Sequence, residues 1–167
     1  LDGVAPEFIK VSQREHGSEY VDTHFFYDGF GNLVQLKLKI ENNQSVTSNL
    51  FYDGKSRVAS VQNPYFEGFT TTISVPSNST DKAFYRYDAL DRVTKVTNTD
   101  NTSKNTAFDK WVITDYDENG HRHQYLLDGH GRIKNVIEFN INPYSRVEEI
   151  YNTSYEYDAN DNLIKIF

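Results

Sequence analysis

Asp115, Asp117 and Asn119 stand at alternate positions ahead of Gly120. That is the spacing with which the first half of a calcium loop offers oxygen ligands to a hard cation. The loop's twelfth position should supply a bidentate Glu, and Leu126 stands there instead. The competing reading is an Asn-Gly hairpin turn with solvated carboxylates. Three histidines follow. His121 and His123 share a strand face and His130 falls in the next turn. A zinc site would need them to converge with a further ligand, whereas a polar strand face beside a turn needs nothing more. Acid–base chemistry of the glycosidase kind needs two carboxyls facing one cleft, roughly 5–10 Å apart. Aspartates spread one per repeat along a chain suit turn formation better, and Glu148-Glu149 reads as a solvated edge. The chain has no Gly-x-Ser-x-Gly elbow, no phosphate loop and no Cys to pair with a His. The residues therefore predict a chain that is not an enzyme and uses neither cofactor nor metal.

The aspartates that fail as catalysts do establish a repeat. Laid over itself, the chain aligns on Asp28, Asp53, Asp88, Asp128 and Asp158, at unequal intervals. The residue just before each is Tyr27, Tyr52, Tyr87, Leu127 or Tyr157, and three before stand Phe25, Leu50, Tyr85, Tyr125 and Tyr155. Positions two apart share one face of a strand, so these side chains form one aromatic face. The position between them is mixed: Phe26, Phe51, Arg86, Leu126 and Glu156. At plus three stand Gly31, Ser56, Asp91, Gly131 and Asp161. Gly accepts positive φ freely and Asp tolerably, and Ser56 fits least well. The aspartate can close an Asx-type turn onto a backbone N–H two residues on.

Beyond the turn, plus five is Leu33, Val58, Val93, Ile133 or Leu163, and plus eight is Leu36, Val61, Val96, Val136 or Ile166. Plus seven is always polar: Gln35, Ser60, Lys95, Asn135 or Lys165. Plus five and plus eight have opposite parity, so either the strand carries a bulge or each unit packs on both faces. The pattern predicts strand–turn–strand units with turns at 28–31, 53–56, 88–91, 128–131 and 158–161. Tyr85, Tyr87, Tyr125, Tyr155 and Tyr157 are expected as a stripe buried between hairpins, with the plus-seven residues facing solvent. A lone hairpin is marginal in water, but stacked hairpins bury a continuous stripe. Only Ser145–Tyr151 suggests a helical turn.

Composition agrees. The 167 residues hold 12 Tyr and 11 Phe against one Trp, a bias that favours pleated surfaces over helices. The net charge of −7 argues against nucleic acid or an anionic membrane as the main partner. No apolar run approaches the ~20 residues of a spanning helix. With no Cys, disulfides and thiolate metal sites are excluded. With no Met even at the first position, the chain is expected to be a fragment of a larger protein. Asn43, Asn78, Asn101 and Asn152 match Asn-x-Ser/Thr, a glycan acceptor only in a eukaryotic secreted setting. Phe66, Phe69 and Trp111 lie in or beside long connections. They are expected to close the end of a core, with sugar-stacking platforms as the other reading.

These residues resemble a known family. Phe25-Phe26-Tyr27-Asp28-Gly29-Phe30-Gly31-Asn32-Leu33 is similar to the Tyr-Asp-x-x-Gly-Arg-Leu signature of RHS/YD repeats, as is Tyr85-Arg86-Tyr87-Asp88-Ala89-Leu90-Asp91-Arg92-Val93. The run from Asp117 to Ile133 is closest, with its Asn-Gly turn, strand, second turn and Arg132. Asn-Pro-Tyr-Phe at 63–66 and the stretch Phe108 to Trp111 resemble shell proteins of bacterial toxin complexes in particular. The resemblance runs from about Tyr20 to Phe167. Departures are Leu127 for Tyr, Ser56, Asp91 and Asp161 for Gly, and Asn32 and Asn162 for Arg. The family's self-cleaving aspartyl protease motif is not recognisable.

The resemblance implies an all-β array of consecutive antiparallel hairpins forming a curved sheet or an arc of a β-shell. It implies a single segment over 1–167, about five repeats, within a longer chain. It also implies a non-catalytic wall that encloses or displays a polypeptide, a toxin cargo, in a secreted or surface bacterial protein. The partners would be the rest of that shell and an enclosed toxin polypeptide, with no nucleic acid and no membrane insertion. The alternative is an adhesin-like module that binds glycan or protein through exposed aromatics. The repeat positions expected to define the structure are Tyr27, Asp28, Gly31, Tyr52, Asp53, Tyr87, Asp88, Arg92, Asp128, Gly131, Arg132, Tyr157 and Asp158.

Overall fold

The structure is a computed structural model that describes residues 7–17, 19–76, 81–142 and 144–167. Asn78 lies outside the described residues. Every strand pairing among the described residues is antiparallel. The only helical element among them is a 3-10 turn at Glu41–Asn43. The chain divides into two compact units, 1–85 and 86–167.

The first unit is a meander of β1 (Glu7–His16), β2 (Glu19–Tyr27), β3 (Leu33–Ile40), β4 (Gln44–Tyr52) and β5 (Val58–Gln62). It also holds β6 (Tyr65–Gly68), paired with β4, and the start of β7 (Lys82–Tyr87), paired with β5. The second unit opens with the end of β7. It continues in order through β8 (Val93–Thr97), β9 (Ser103–Asp109), β10 (Val112–Tyr116), β11 (Arg122–Leu127), β12 (Ile133–Ile141), β13 (Glu148–Tyr157) and β14 (Leu163–Ile166). In a meander each strand reverses the last, so successive turns fall at alternate ends. The turns after Asp28 and Asp53 therefore share one end of the first unit. Those after Asp88, Asp128 and Asp158 share one end of the second.

The parity conflict is resolved by a bulge. Phe26 pairs with Gln35 but Tyr27 with Leu33, which leaves Val34 unpaired. The same step skips Ala59, Lys134 and Ile164. One extra residue at plus six returns plus eight to the face of plus five. Tyr, Phe and Leu before the turn and the aliphatics after it then share a face.

The second face departs from expectation. In the first unit its buried side chains are Phe26 and a set of polar groups: His24, Gln35, Lys37, Ser45, Thr47, Asn49, Ser60 and Gln62. Plus-seven residues Gln35 and Ser60 are thus buried, not solvated. The reason is the segment after β6. Residues 69–76 run back over β2 and β3 as a strap, anchored where the Phe69 N–H donates to the Asn43 carbonyl (2.9 Å). Gln35, Lys37, Thr47, Asn49 and Gln62 are tolerated beneath it because each finds a partner there rather than water.

Three further expectations are corrected. Tyr85, Tyr87, Tyr125, Tyr155 and Tyr157 are half-buried rather than enclosed, because their face is covered only by lateral neighbours. Ser145–Tyr151 is not helical. A reverse turn over 142–147, with Arg146 at φ 59°, leads into β13. Phe66 is 73% and Trp111 54% exposed, so neither closes a core. Phe66 pairs with Val46 in the β6–β4 register, out of phase with Tyr65 and Glu67, which point to the covered face. Phe69 does close it, stacked on His24 at 5.2 Å.

Candidate functional site

The repeated aspartates build one turn over and over. In the first, Asp28 N–H donates to the Asn32 carbonyl (2.9 Å) and Gly31 N–H to the Asp28 carbonyl (3.1 Å). Asp28 Oδ1 accepts the N–H groups of Phe30 and Asn32, both at 2.9 Å, and Oδ2 accepts from Asn32 Nδ2 at 2.9 Å. Asp53 repeats this with Lys55, Arg57 and the Arg57 Nε at 2.8 Å. Asp88 does so with Leu90 and Arg92, Asp128 with His130 and Arg132, and Asp158 with Asn160 and Asn162. Both carboxylate oxygens are therefore committed to the turn that carries them.

That commitment shows in the acidities. Asp53 and Asp128 are lowered to about 2, each first by the side chain of its plus-four arginine and then by backbone N–H groups, with burial opposing. Asn32 and Asn162, which replace arginine, perform the same bond with their amides and lower Asp28 and Asp158. The plus-three residue is left-handed at every turn: φ is 84° at Gly31, 80° at Gly131, 59° at Ser56, 61° at Asp91 and 65° at Asp161.

A sixth turn of this kind is at Asp117. Its Oδ1 accepts from the N–H groups of Asn119 (2.9 Å) and His121 (2.8 Å), His121 Nδ1 lies 2.8 Å from Oδ2, and Gly120 has φ 84°. The signal was present in Tyr116-Asp117-x-x-Gly120, the repeat spacing itself, which the calcium-loop reading obscured. Asp115 bonds Thr106 Oγ1 at 2.6 Å and faces Lys104 at 3.4 Å. His121 and His130 sit in turns at opposite ends of β11. Among the described residues no three His, Asp or Glu side chains are gathered as a metal site.

Within each compact unit, a tyrosine hydroxyl stitches one repeat to the one before it. Tyr52 donates its hydroxyl to the Leu33 carbonyl, and Tyr157 donates to the Ile133 carbonyl, both at 2.8 Å. Each tyrosine thus reaches the plus-five position of the preceding repeat. Arg132, besides holding Asp128, pairs with Asp161 of the next turn and lies 4.6 Å over the Tyr157 ring.

The covered face of the first unit is the other concentration of chemistry. Lys37 is fully buried. Its Nζ donates to Ser74 Oγ (2.6 Å), Thr70 Oγ1 (2.8 Å) and the Thr72 carbonyl (2.9 Å), and lies 3.2 Å from Glu67 Oε1. Burial pushes the Glu67 carboxyl up, but hydrogen bonds from Thr47, Ser74 and Lys37 outweigh it and the pKa is lowered. Gln35 reads the strap backbone on both sides, donating to the Ser74 carbonyl (3.1 Å) and accepting its N–H (2.9 Å). Asn49 links Gln35 to Gln62. This is a scaffold of interlocked amides beneath the strap. The composition gave no sign of it, since a buried Lys or Gln looks like a surface residue until the strap is placed.

No protein-family model matches the chain, and no curated protein does. Solved structures do. A crystal structure of TcdB2-TccC3 without its hypervariable C-terminal region aligns at a TM-score of 0.75 and 20% identity, covering 95% of this chain and 9% of that one. TcdB2-TccC3-Cdc42 aligns at 0.77 and 20%, covering 95% and 10%. A Tc holotoxin pore of Photorhabdus luminescens aligns at 0.77 and 20%, with the same coverage. The likeness shows the fold, and it matches the resemblance read from the repeats. The chain spans about a tenth of the chains it matches.

Proposed function

We propose that this chain is a non-catalytic wall segment of an RHS/YD-type shell, part of a larger secreted bacterial protein whose shell encloses a toxin polypeptide. The observation that carries the reading is the repeated aspartate turn within a fold shared, over 95% of the chain, with Tc toxin-complex proteins. The side chains that could have done chemistry are consumed in holding hairpins together. Its immediate partners are the adjoining hairpins of the same shell, and neither nucleic acid nor a membrane is among them. Electron microscopy of the protein expressed with its native flanking sequence tests this. A hollow particle with protein density inside is the expected result. A solid or open array with no enclosed chain would overturn it. Incubation of the purified chain with ester, peptide and glycoside substrates should give no turnover.

A further inference from the structure

The strap rests on an ionisable group that has no polar partner on one side. His24, on β2, is buried, and its Nδ1 has no hydrogen-bond partner. Its ring stacks on Phe69 of the strap and meets Phe8 edge-on at 5.4 Å. The charges around it are mostly positive. Lys10 on β1 and Lys37 on β3 are its cross-strand neighbours, and Lys39 lies 5.1 Å over the Phe69 ring. Asp22, the nearby negative charge on β2, is already bonded to Lys10 (2.9 Å) and Ser12 (2.6 Å). Facing strands β4 and β5 present uncharged Thr47, Asn49 and Gln62, and strap residues 69–76 contain no ionisable side chain. The remaining charge is Glu67 on β6, which binds both Lys37 and the strap hydroxyl of Ser74 (3.0 Å).

We propose that His24 and Glu67 make the strap an acid-released latch. Neutral His24 and ionised Glu67 hold residues 69–76 down, and protonation of either frees them. A proton on His24 puts a buried cation among three lysines with no hydrogen-bond partner for Nδ1. A proton on Glu67 removes the counter-charge of a fully buried Lys37 and one acceptor of the strap.

The signs agree. Burial first, and then the lysines, hold the His24 pKa below its ordinary value. The closed state therefore binds fewer protons than the open one, and closure is lost as pH falls below about 6.5. Glu67 is also lowered, so its contribution is present above the ordinary carboxylate range and lost beneath it. The histidine acts first on acidification and the glutamate second. Release exposes Gln35, Lys37 and Asn49 as a row of donors and acceptors on a sheet face that is sealed at neutral pH.

Hydrogen exchange on the full chain tests the latch, read on peptides covering 63–76 and corrected for the intrinsic pH dependence. Between pH 6.5 and 5.5 opening should rise, by at most about tenfold for one proton, while peptides from 105–157 stay unchanged. His24→Phe keeps the stacking and removes the proton site, so it should abolish that rise. A pH-independent strap in the unsubstituted chain, or an unchanged rise in His24→Phe, would overturn the proposal. Should His24→Phe not fold, NMR titration of the His24 imidazole in the unsubstituted chain decides. A midpoint below about 6.5 that coincides with strap opening supports the latch. An ordinary or raised midpoint sinks it.

Discussion

At the scale of single residues, two kinds of position carry unusual weight. Lys37 is a fully buried cation with four oxygen partners, and Glu67 depends on it. Removing one member of a buried pair costs about 3–5 kcal/mol. Because Glu67 retains some contact with water, Lys37→Ala should cost about 3 kcal/mol in a urea melt. Lys37→Ala combined with Glu67→Gln should recover part of the loss. The other kind is the left-handed residue at plus three. Ser56 sits at φ 59° and is exposed. A non-glycine residue there costs about 1–2 kcal/mol, and glycine loses about 0.4–1 kcal/mol of chain entropy. Ser56→Gly should therefore stabilise by up to about 1 kcal/mol, read as a higher melting midpoint. Asp161→Gly should gain less, because Asp161 also pairs with Arg132.

At the scale of the hairpin, the turn and the bulge act together. The turn reverses the chain, and the skipped residue at plus six sets which side chains share a face. Deleting Lys134 should keep Val136 on the face of Ile133 but straighten the strand and remove the bulge's added twist, and so lower the melting temperature clearly. Lys134→Ala, which keeps the bulge, should change stability by under about 0.5 kcal/mol. The turns also fix an acid limit. Their carboxyls are depressed, two of them to about 2. Their contribution is complete above the unfolded value near 3.9 and is lost as pH falls towards 2. Far-UV circular dichroism should hold steady down to about pH 4 and then decline. Much of this element was legible in the sequence. The Asp, the turn residue three later and the conflict of parity named the hairpin and required either a bulge between plus five and plus eight or packing on both faces. What could not be read was the function of plus four, where Arg, Asn and His perform one task with different atoms. Nor could the sequence show which face of the strand is covered, because a strap from β6 overrides the polar pattern of Gln35, Lys37 and Ser60.

At the scale of the whole chain, pairing joins strands that follow one another closely in sequence, with β6 the one branch from the path. Such arrays transmit perturbation to nearest neighbours and little further. Lys37→Ala should accordingly speed amide exchange across 22–76 and leave 105–157 within about twofold of the unsubstituted rate. Uniform acceleration across both stretches would show a cooperativity that the ladder alone does not supply. The pairing order was implied by the repeat. The division at residue 85 was not, since β7 runs through it without a break in pattern.

The alternation of turns has a hereditary side. Within the first unit, the Asp28 and Asp53 turns at one end are cut to one template. The connections at the other end differ widely, from the 3-10 turn at Glu41–Asn43 to the whole passage between β5 and β7. A mutation that lengthens a connection at the templated end must break a five-bond turn. One at the other end meets no such template, and it leaves the pairing on either side intact. In the first unit, insertions should then accumulate on one margin only. A chain of this construction could acquire straps or appended domains over many generations without renegotiating its repeat.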